Sequence, residues 1–393
     1  MRFVIAALLA ATLSACSVPV ATTPTTAPSA SETRAPAATS VRVSPSLPSA
    51  TVAAAPTRIT DLSQVFHPLA TGWRPTTPTL MFVSNETDTS TLVAVPFDTS
   101  GPTGPATRIL TFAGQGWDLR ADGGAIAVQV SSAPPRIATW DIESGTGQWI
   151  SSSDPPTNDA TPVWSKDGRV LYFASFGPDQ QATIARVAPD GQGKTAIATL
   201  DRFGGFEGLT PDGRGLIWSR GQAGGSAEIL DIASGANRHL DDVARIVSWR
   251  SRQPRILLSV GGCCAGRPGG SLVAFDDSTM TSRVFADRTP NGSIAFGGAA
   301  WDPTGTRIAA GKYDETSPYD ATLVILDPES GATRPISDVL GVGVVLWLDE
   351  GIIATMSSVR SASTEVVLVP PQGGPSRTLY RGGGIGRIVV IRP

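Results

Sequence analysis

Residues able to do chemistry are few in this chain. Histidine occurs only as His67 and His239, and neither stands in a metal spacing such as HExxH. A serine nucleophile on a strand–helix elbow would show as GxSxG, and that string is absent. The segment DGQGKT around Lys194 has the lysine of a phosphate-binding loop. The first glycine of such a loop would fall at position 188, which is Ala188, and the setting reads as strand–turn–strand. GGGIG at 382–386 precedes a strand rather than a helix, so it is no dinucleotide fingerprint. Asp154 and Asp159 are the acidic pair nearest to a Ca²⁺ arrangement, but polar loops of this kind are ordinarily just solvated. His239 falls on a fourth, polar strand and is expected in solvent. No catalytic set, metal or cofactor is expected.

The cysteines are Cys16, Cys263 and Cys264. Cys16 ends a recognisable order of segments. Arg2 supplies a positive start, and FVIAALLAATL is apolar, uncharged and too short to span a bilayer as a mature helix. Leu13-Ser14-Ala15-Cys16 follows and resembles the lipobox of bacterial lipoproteins. That resemblance implies a signal peptide over 1–15, cleavage before Cys16 and a diacylglycerol on its thiol. Acyl chains such as palmitate would then hold the protein at a membrane, each buried methylene contributing about 0.8 kcal/mol. The competing reading is an ordinary secretory signal with an incidental cysteine. Either way the expected location is extracytoplasmic; the lipobox adds an anchor on the bacterial cell membrane or outer membrane.

Residues 16–57 are mostly Ala, Thr, Ser, Pro and Val, without an aromatic residue. They cannot bury enough apolar surface to offset the entropy of ordering them, and read as a disordered tether. A flexible coil of roughly 40 residues spans about 35 Å.

Cys263 and Cys264 are adjacent in GGCCAGRPGG. With Cys16 lipidated they are the remaining thiols, and outside the cytoplasm they should oxidise to a disulfide with each other. The readings that stand open are a loop staple, two reduced thiols, a rigid strained platform for a ligand, or a redox element.

From 58 onward the chain repeats itself. WSKDGRVLYF starts at Trp164, LTPDGRGLIW at Leu209, WDPTGTRIAA at Trp301, LRADGGAIAV at Leu119, WLDEGIIATM at Trp347, WRSRQPRILL at Trp249 and WRPTTPTLMF at Trp73. Six of the seven place an aliphatic residue seven positions after the anchor, and the seventh has Ala354. Gly123, Gly168, Gly213, Gly305 and Gly351 occupy the fifth position, and the anchors recur every 40 to 52 residues.

One unit reads as four short strands. The first ends at the anchor, and a glycine turn reverses the chain, since glycine tolerates the positive φ of tight hairpins. A second strand follows (VLYFAS, LIWSR, RIAAGKY), then a third (ATIARVA, AEILDIA, ATLVILD). Further turns stand at Asp141…Gly145, Asp231…Gly235 and Asp327…Gly331 before a polar fourth strand. Such a sheet buries its faces only against neighbours, so the units must stack radially. The expected fold over 58–393 is all-β: a single seven-bladed β-propeller of four-stranded antiparallel blades. Trp73, Trp164, Trp249, Trp301 and Trp347 would be wedges between blades. The tail IGRIVVIR at 385–392 is one strand too many and should pair within the blade of Trp73.

WSKDGRVLYFAS at 164–175 resembles the TolB-type, WD40-like propeller repeat, whose units read roughly WSPDGRxIxFxS. The resemblance extends over 73–380 in degenerate form, weakest in the first and fifth units, which lack the Asp-Gly turn. It implies a periplasmic or surface protein that binds other proteins. Some relatives resemble the non-catalytic propeller of serine peptidases; no peptidase domain follows here, so that activity is not expected.

In a propeller the loops from second to third strand, and from fourth strand to the next blade, lie on one face. That places Arg136, Phe176, Asp179, Arg220, Cys263, Cys264, Arg267, Tyr313, Asp314, Glu315, Tyr319 and Arg360 together as a candidate binding face. Arginines and aromatics are the types that dominate interface hot spots. A formal net charge of −3 argues against a nucleic-acid partner. The expected function is a surface-anchored scaffold, a monomer, binding an envelope protein or glycan. The alternative is an enzyme acting on a glycan or small molecule at the central channel, of lyase, hydrolase or lactonase type.

Overall fold

The computed structural model describes residues 61–86, 89–130, 135–151, 158–177, 181–210, 212–220, 227–240, 245–249, 255–260, 271–276, 281–284, 296–313, 321–337, 341–357 and 363–393. Between 240 and 297 the backbone alone is described. Apart from one short 3-10 turn at Leu62–Gln64, the regular structure among the described residues is all β.

Antiparallel sheets follow one another along the chain, as the short apolar runs between glycine turns require. Sheets 2 to 7 lie at 115–149, 158–200, 203–240, 245–284, 296–335 and 342–382, each with four strands in sequence order. Sheet 1 has six strands. Its path runs from Phe66–Pro68 through Thr107–Phe112, Thr89–Asp98 and Thr79–Glu86 to the C-terminal Gly384–Ile391, with Gly101–Pro102 on a side branch.

The repeat is a register. Leu119, Trp164, Leu209, Trp249 and Trp301 each end the first strand of a sheet. Each stands opposite the residue seven positions on: Ile126, Leu171, Leu216, Ile256 and Ile308. Four of these hairpins turn on Gly123, Gly168, Gly213 and Gly305, with φ between 67° and 73°. At each, the glycine N–H returns to the carbonyl of the residue after the anchor. The second turn signal is real too. Gly145, Gly235 and Gly331 donate to the carbonyls of Asp141, Asp231 and Asp327. The carboxylates of the same aspartates accept the N–H groups of Ser144, Ser234 and Ser330.

Two repeats depart from this. Trp347 stands opposite Ile352, not Ala354, because Asp349 and Glu350 alone make the turn and Leu348 already pairs with Gly351. Gly351 is therefore a strand residue, with φ 148°, and the space a Cβ would need is taken by Leu368 and the Val369 carbonyl. Trp73 ends no strand. In its sheet the first-strand place is held by Gly384–Ile391, and Val390 stands opposite Leu80. The tail thus pairs where the surplus strand was expected.

Apolar clusters join neighbouring sheets. Trp164 packs with Ala125, Ala127 and Ile137 of sheet 2, with Ile150 just beyond that sheet, and with Leu171, Phe173 and Ala185 of its own sheet. Trp347 sits likewise between sheets 6 and 7, among Ala309, Leu323, Ile325 and Val367. Phe82, Val93 and Phe97 of sheet 1 meet Ile353, Val366 and Leu368 of sheet 7. Trp301 is buried, and Trp73 is half-buried against the cluster between sheets 1 and 2. The side chain of Trp249 lies outside the described residues. In this all-β chain the tryptophans with described side chains at repeat anchors pack in the core or against it.

A candidate binding surface where the third and fourth sheets meet

Of the expected binding face, Arg136, Phe176, Arg220 and Tyr313 are described. Cys16, Asp179, Cys263, Cys264, Arg267, Asp314, Glu315, Tyr319 and Arg360 lie outside the described residues. Phe176, Arg220 and Tyr313 are the last residues of the second strands of sheets 3, 4 and 6, and Arg136 is the first of the third strand of sheet 2. All four thus occupy the same end of their sheets, but they do different work.

Arg136 is structural. Its guanidinium lies 4.1 Å from the ring centroid of Trp149 and donates to the Ser151 carbonyl at 3.0 Å. Burial pushes its pKa below the ordinary arginine value, and the charge of Asp159 pulls the other way. Asp159 itself, expected in a solvated loop, is a buried strand residue opposite Ser175, while Asp154 lies outside the described residues. Tyr313 packs against the apolar cluster of sheets 6 and 7, and burial raises its phenol.

Phe176 and Arg220 are brought near one another through Phe203, where sheets 3 and 4 pack together. Side chains directly opposite one another across a ladder share a face. Phe203 stands opposite Arg220, and Phe206 opposite Trp218. Trp218 is opposite Glu228, which is opposite His239. One row of sheet 4 therefore reads Phe206, Trp218, Glu228, His239 on the face that meets Val163, Tyr172, Ala174 and Ile184 of sheet 3. The Phe203 ring is stacked on Trp218 at 5.7 Å, with Phe206 edge-on at 4.9 Å and Phe176 reaching across from sheet 3 at 6.0 Å.

Glu228 is a buried carboxylate, 2% exposed, in this row. Its partners form a chain: Trp218 Nε1 donates to Asn237 Oδ1 at 2.9 Å, and Asn237 Nδ2 donates to Glu228 Oε2. The other oxygen, Oε1, accepts no hydrogen bond among the described residues but lies 3.3 Å from Arg220 Nη1 and 3.5 Å from His239 Nδ1. A carboxylate at this depth is tolerable only when paired. The arginine and histidine side chains remain about half exposed, at 46% and 47%. His239 is thus in solvent on one side, as expected, and held by a buried acid on the other.

Phe203, Phe206, Trp218, Glu228 and Asn237 were not legible as site residues. The signal is the period-two alternation of LIWSR and AEILD against ANRHL, which puts them on one face only once the strand register is known. Among the described residues no cluster of metal-ligating side chains is present, and no helix is long and apolar enough to cross a membrane.

No protein-family model matches the sequence, and no curated protein matches it. Solved structures do resemble it. A putative 6-phosphogluconolactonase from Bacteroides uniformis aligns at TM-score 0.53 and 13% identity, over 80% of this chain and 99% of that one. The likeness is one of fold. The β-propeller domain of the Trilobed protease from Pyrococcus furiosus aligns at 0.48 and 14%, over 77% of this chain and 98% of that domain. TolB from Acinetobacter baumannii aligns at 0.43 and 16%, over 65% of this chain, which spans 62% of the TolB.

Proposed function

We propose that this chain is a lipid-anchored, extracytoplasmic binding module. The signal peptide 1–15 is removed, Cys16 carries the lipid, and 16–57 tethers a single closed seven-bladed propeller. The ring reading rests on the succession of sheets and on the pairing of the C-terminal strand with Thr79–Glu86, which puts the last described strand in the first described sheet. The propeller acts as a monomeric scaffold for an envelope protein or glycan.

The observation that supports the binding role is the edge where sheets 3 and 4 meet, at Arg220 and Phe203. It sets a half-exposed arginine and a half-buried aromatic shelf side by side, the combination found at the centre of interfaces. Partners captured from the native membrane by wild type are compared with those captured by Arg220→Glu and Phe176→Ser. Partners lost by both variants, at unchanged melting temperature, support the reading; an identical set with all three proteins overturns it. Cys16→Ala should move the protein out of the membrane fraction, and retention after a high-salt wash would remove the anchor from the proposal.

A further inference from the structure

We infer that a cleft where sheets 7 and 1 meet, at their turn ends, is a receptor for one basic side chain, a lysine or arginine, of a protein partner. It lies at the opposite end of the sheets from Arg220 and does not depend on the surface proposed above.

Three turns build the cleft. Asp349 and Glu350 make the first turn of sheet 7, a second comes from the link between its third and fourth strands, and the third is the Asp98–Gly101 turn of sheet 1. The space they enclose is about 290 Å³. Sites for whole small molecules start at about that size, so this one suits a single side chain.

The charges choose the ligand. Arg392 puts both terminal nitrogens on the two oxygens of Glu350, at 2.6 and 2.8 Å. Arg377 donates to the Thr99 carbonyl at 2.8 Å, and its charge acts on Asp98. Asp349 is exposed, and no described side chain bonds to it. Arg392 acts on it only through space, its terminal nitrogens being taken. Three carboxylates, those of Asp98, Asp349 and Glu350, thus meet two guanidiniums, and the charge left over is that of Asp349. An anion would add to this surplus, whereas one monovalent cation cancels it.

The wall chooses among cations. An exposed ion pair alone gains little, because water screens it. The same cleft is lined by Leu368, Pro370 and Pro371. Lysine and arginine lay an aliphatic stem along such surface while the charged head stays at a polar rim. A bare metal ion would leave that surface unused.

Ligand-observed NMR titrations of the full-length purified protein test this. The probes are N-acetyllysine amide, N-acetylarginine amide and the uncharged N-acetylcitrulline amide. Both cations should saturate in the millimolar range, with citrulline about fivefold weaker. Asp349→Asn should lose about fivefold for the cations and nothing for citrulline. Gln372→Glu, which adds a carboxylate to the lining, should tighten both cations about threefold. Asp190→Asn removes an exposed carboxylate at the turn end of sheet 3 and should change nothing. No binding of either cation, or citrulline binding as well as arginine, overturns the inference. So does an equal loss in Asp190→Asn and Asp349→Asn, which would mean general charge attraction. n-Butylamine binding more tightly than the lysine probe assigns the cleft to a free amine and overturns the partner reading. If Asp349→Asn lowers the melting temperature, Gln372→Glu decides: unchanged cation binding in it sinks the proposal.

Discussion

Asp118 holds Trp164 across two sheets. It lies in the first strand of sheet 2, is 3% exposed, and its Oδ2 accepts the backbone N–H of Trp164 in sheet 3 at 2.7 Å. Its other oxygen accepts from Arg387 of the C-terminal strand in sheet 1. One buried carboxylate thus ties together three successive sheets and one chain end. Burial pushes its pKa above the ordinary carboxylate value, against the opposing pull of Arg387 and of the Trp164 and Leu119 N–H groups.

Removing that carboxylate should be costly. Asp118→Ala leaves a buried N–H and a half-buried guanidinium without their acceptor, a loss of about 3 kcal/mol, the lower end for breaking a buried pair because Arg387 is partly solvated. Arg387→Gln should cost less, since the Trp164 bond survives. Urea unfolding of both variants measures this; equal midpoints for Asp118→Ala and wild type would show that the tie carries no weight.

Acid should unfold the protein through its turns. Hydrogen bonds from the Ser234 hydroxyl and N–H hold Asp231 below the ordinary carboxylate range, and the N–H groups of Glu329 and Ser330 do the same for Asp327. A depressed folded pKa stabilises above the unfolded value, about 3.9, and that contribution is lost as pH falls through the folded value. The raised Asp118 has the opposite sign. The double variant Asp231→Asn, Asp327→Asn should therefore show a flatter fall in stability below pH 4. Chemical denaturation across that range reads the slope, and an unaltered slope refutes the assignment.

The seventh repeat should be less tolerant than the third. Gly168→Ala places a Cβ 2.6 Å from Arg120 Cδ, a flexible side chain that can move, and costs about 1–2 kcal/mol for the left-handed backbone. At Gly351, φ is 148° and a Cβ would meet Leu368 at 2.8 Å and a carbonyl at 3.1 Å. Strain there is of order 1–3 kcal/mol before any clash. Gly351→Ala should shift the unfolding midpoint more than Gly168→Ala, and the reverse order would contradict the shortened hairpin.

Cys263 and Cys264 are proposed to be linked to each other in protein isolated from the envelope. Adjacent thiols have a very high effective concentration for one another. The ring closes almost no chain, so Cys263→Ser with Cys264→Ser should leave the melting temperature nearly unchanged. Intact mass after thiol alkylation decides the pairing: two free thiols in freshly isolated protein would end it.

The spacing of Trp164, Leu209 and Trp301, each with an aliphatic residue seven positions on, was enough to determine the sheets and their hairpins, because a period-two strand and a glycine turn are local physics. So was the destination of the tail, whose strand had no partner in the last repeat. The seventh hairpin misled: WLDEGIIATM satisfies the repeat with its glycine, yet two residues suffice for the turn, and pairing slides Ile352 under Trp347. Arg136 and Arg220 flank the same kind of loop, between second and third strands, and the repeat puts both at one end of their sheets. Only the tertiary structure separates them, laying one on Trp149 and leaving the other half exposed above Glu228. Glu228 and His239 are eleven residues apart in the chain and directly opposite in the ladder. Register brings such residues onto one face, and packing against sheet 3 buries the acid between them; neither is encoded in the spacing of any single strand.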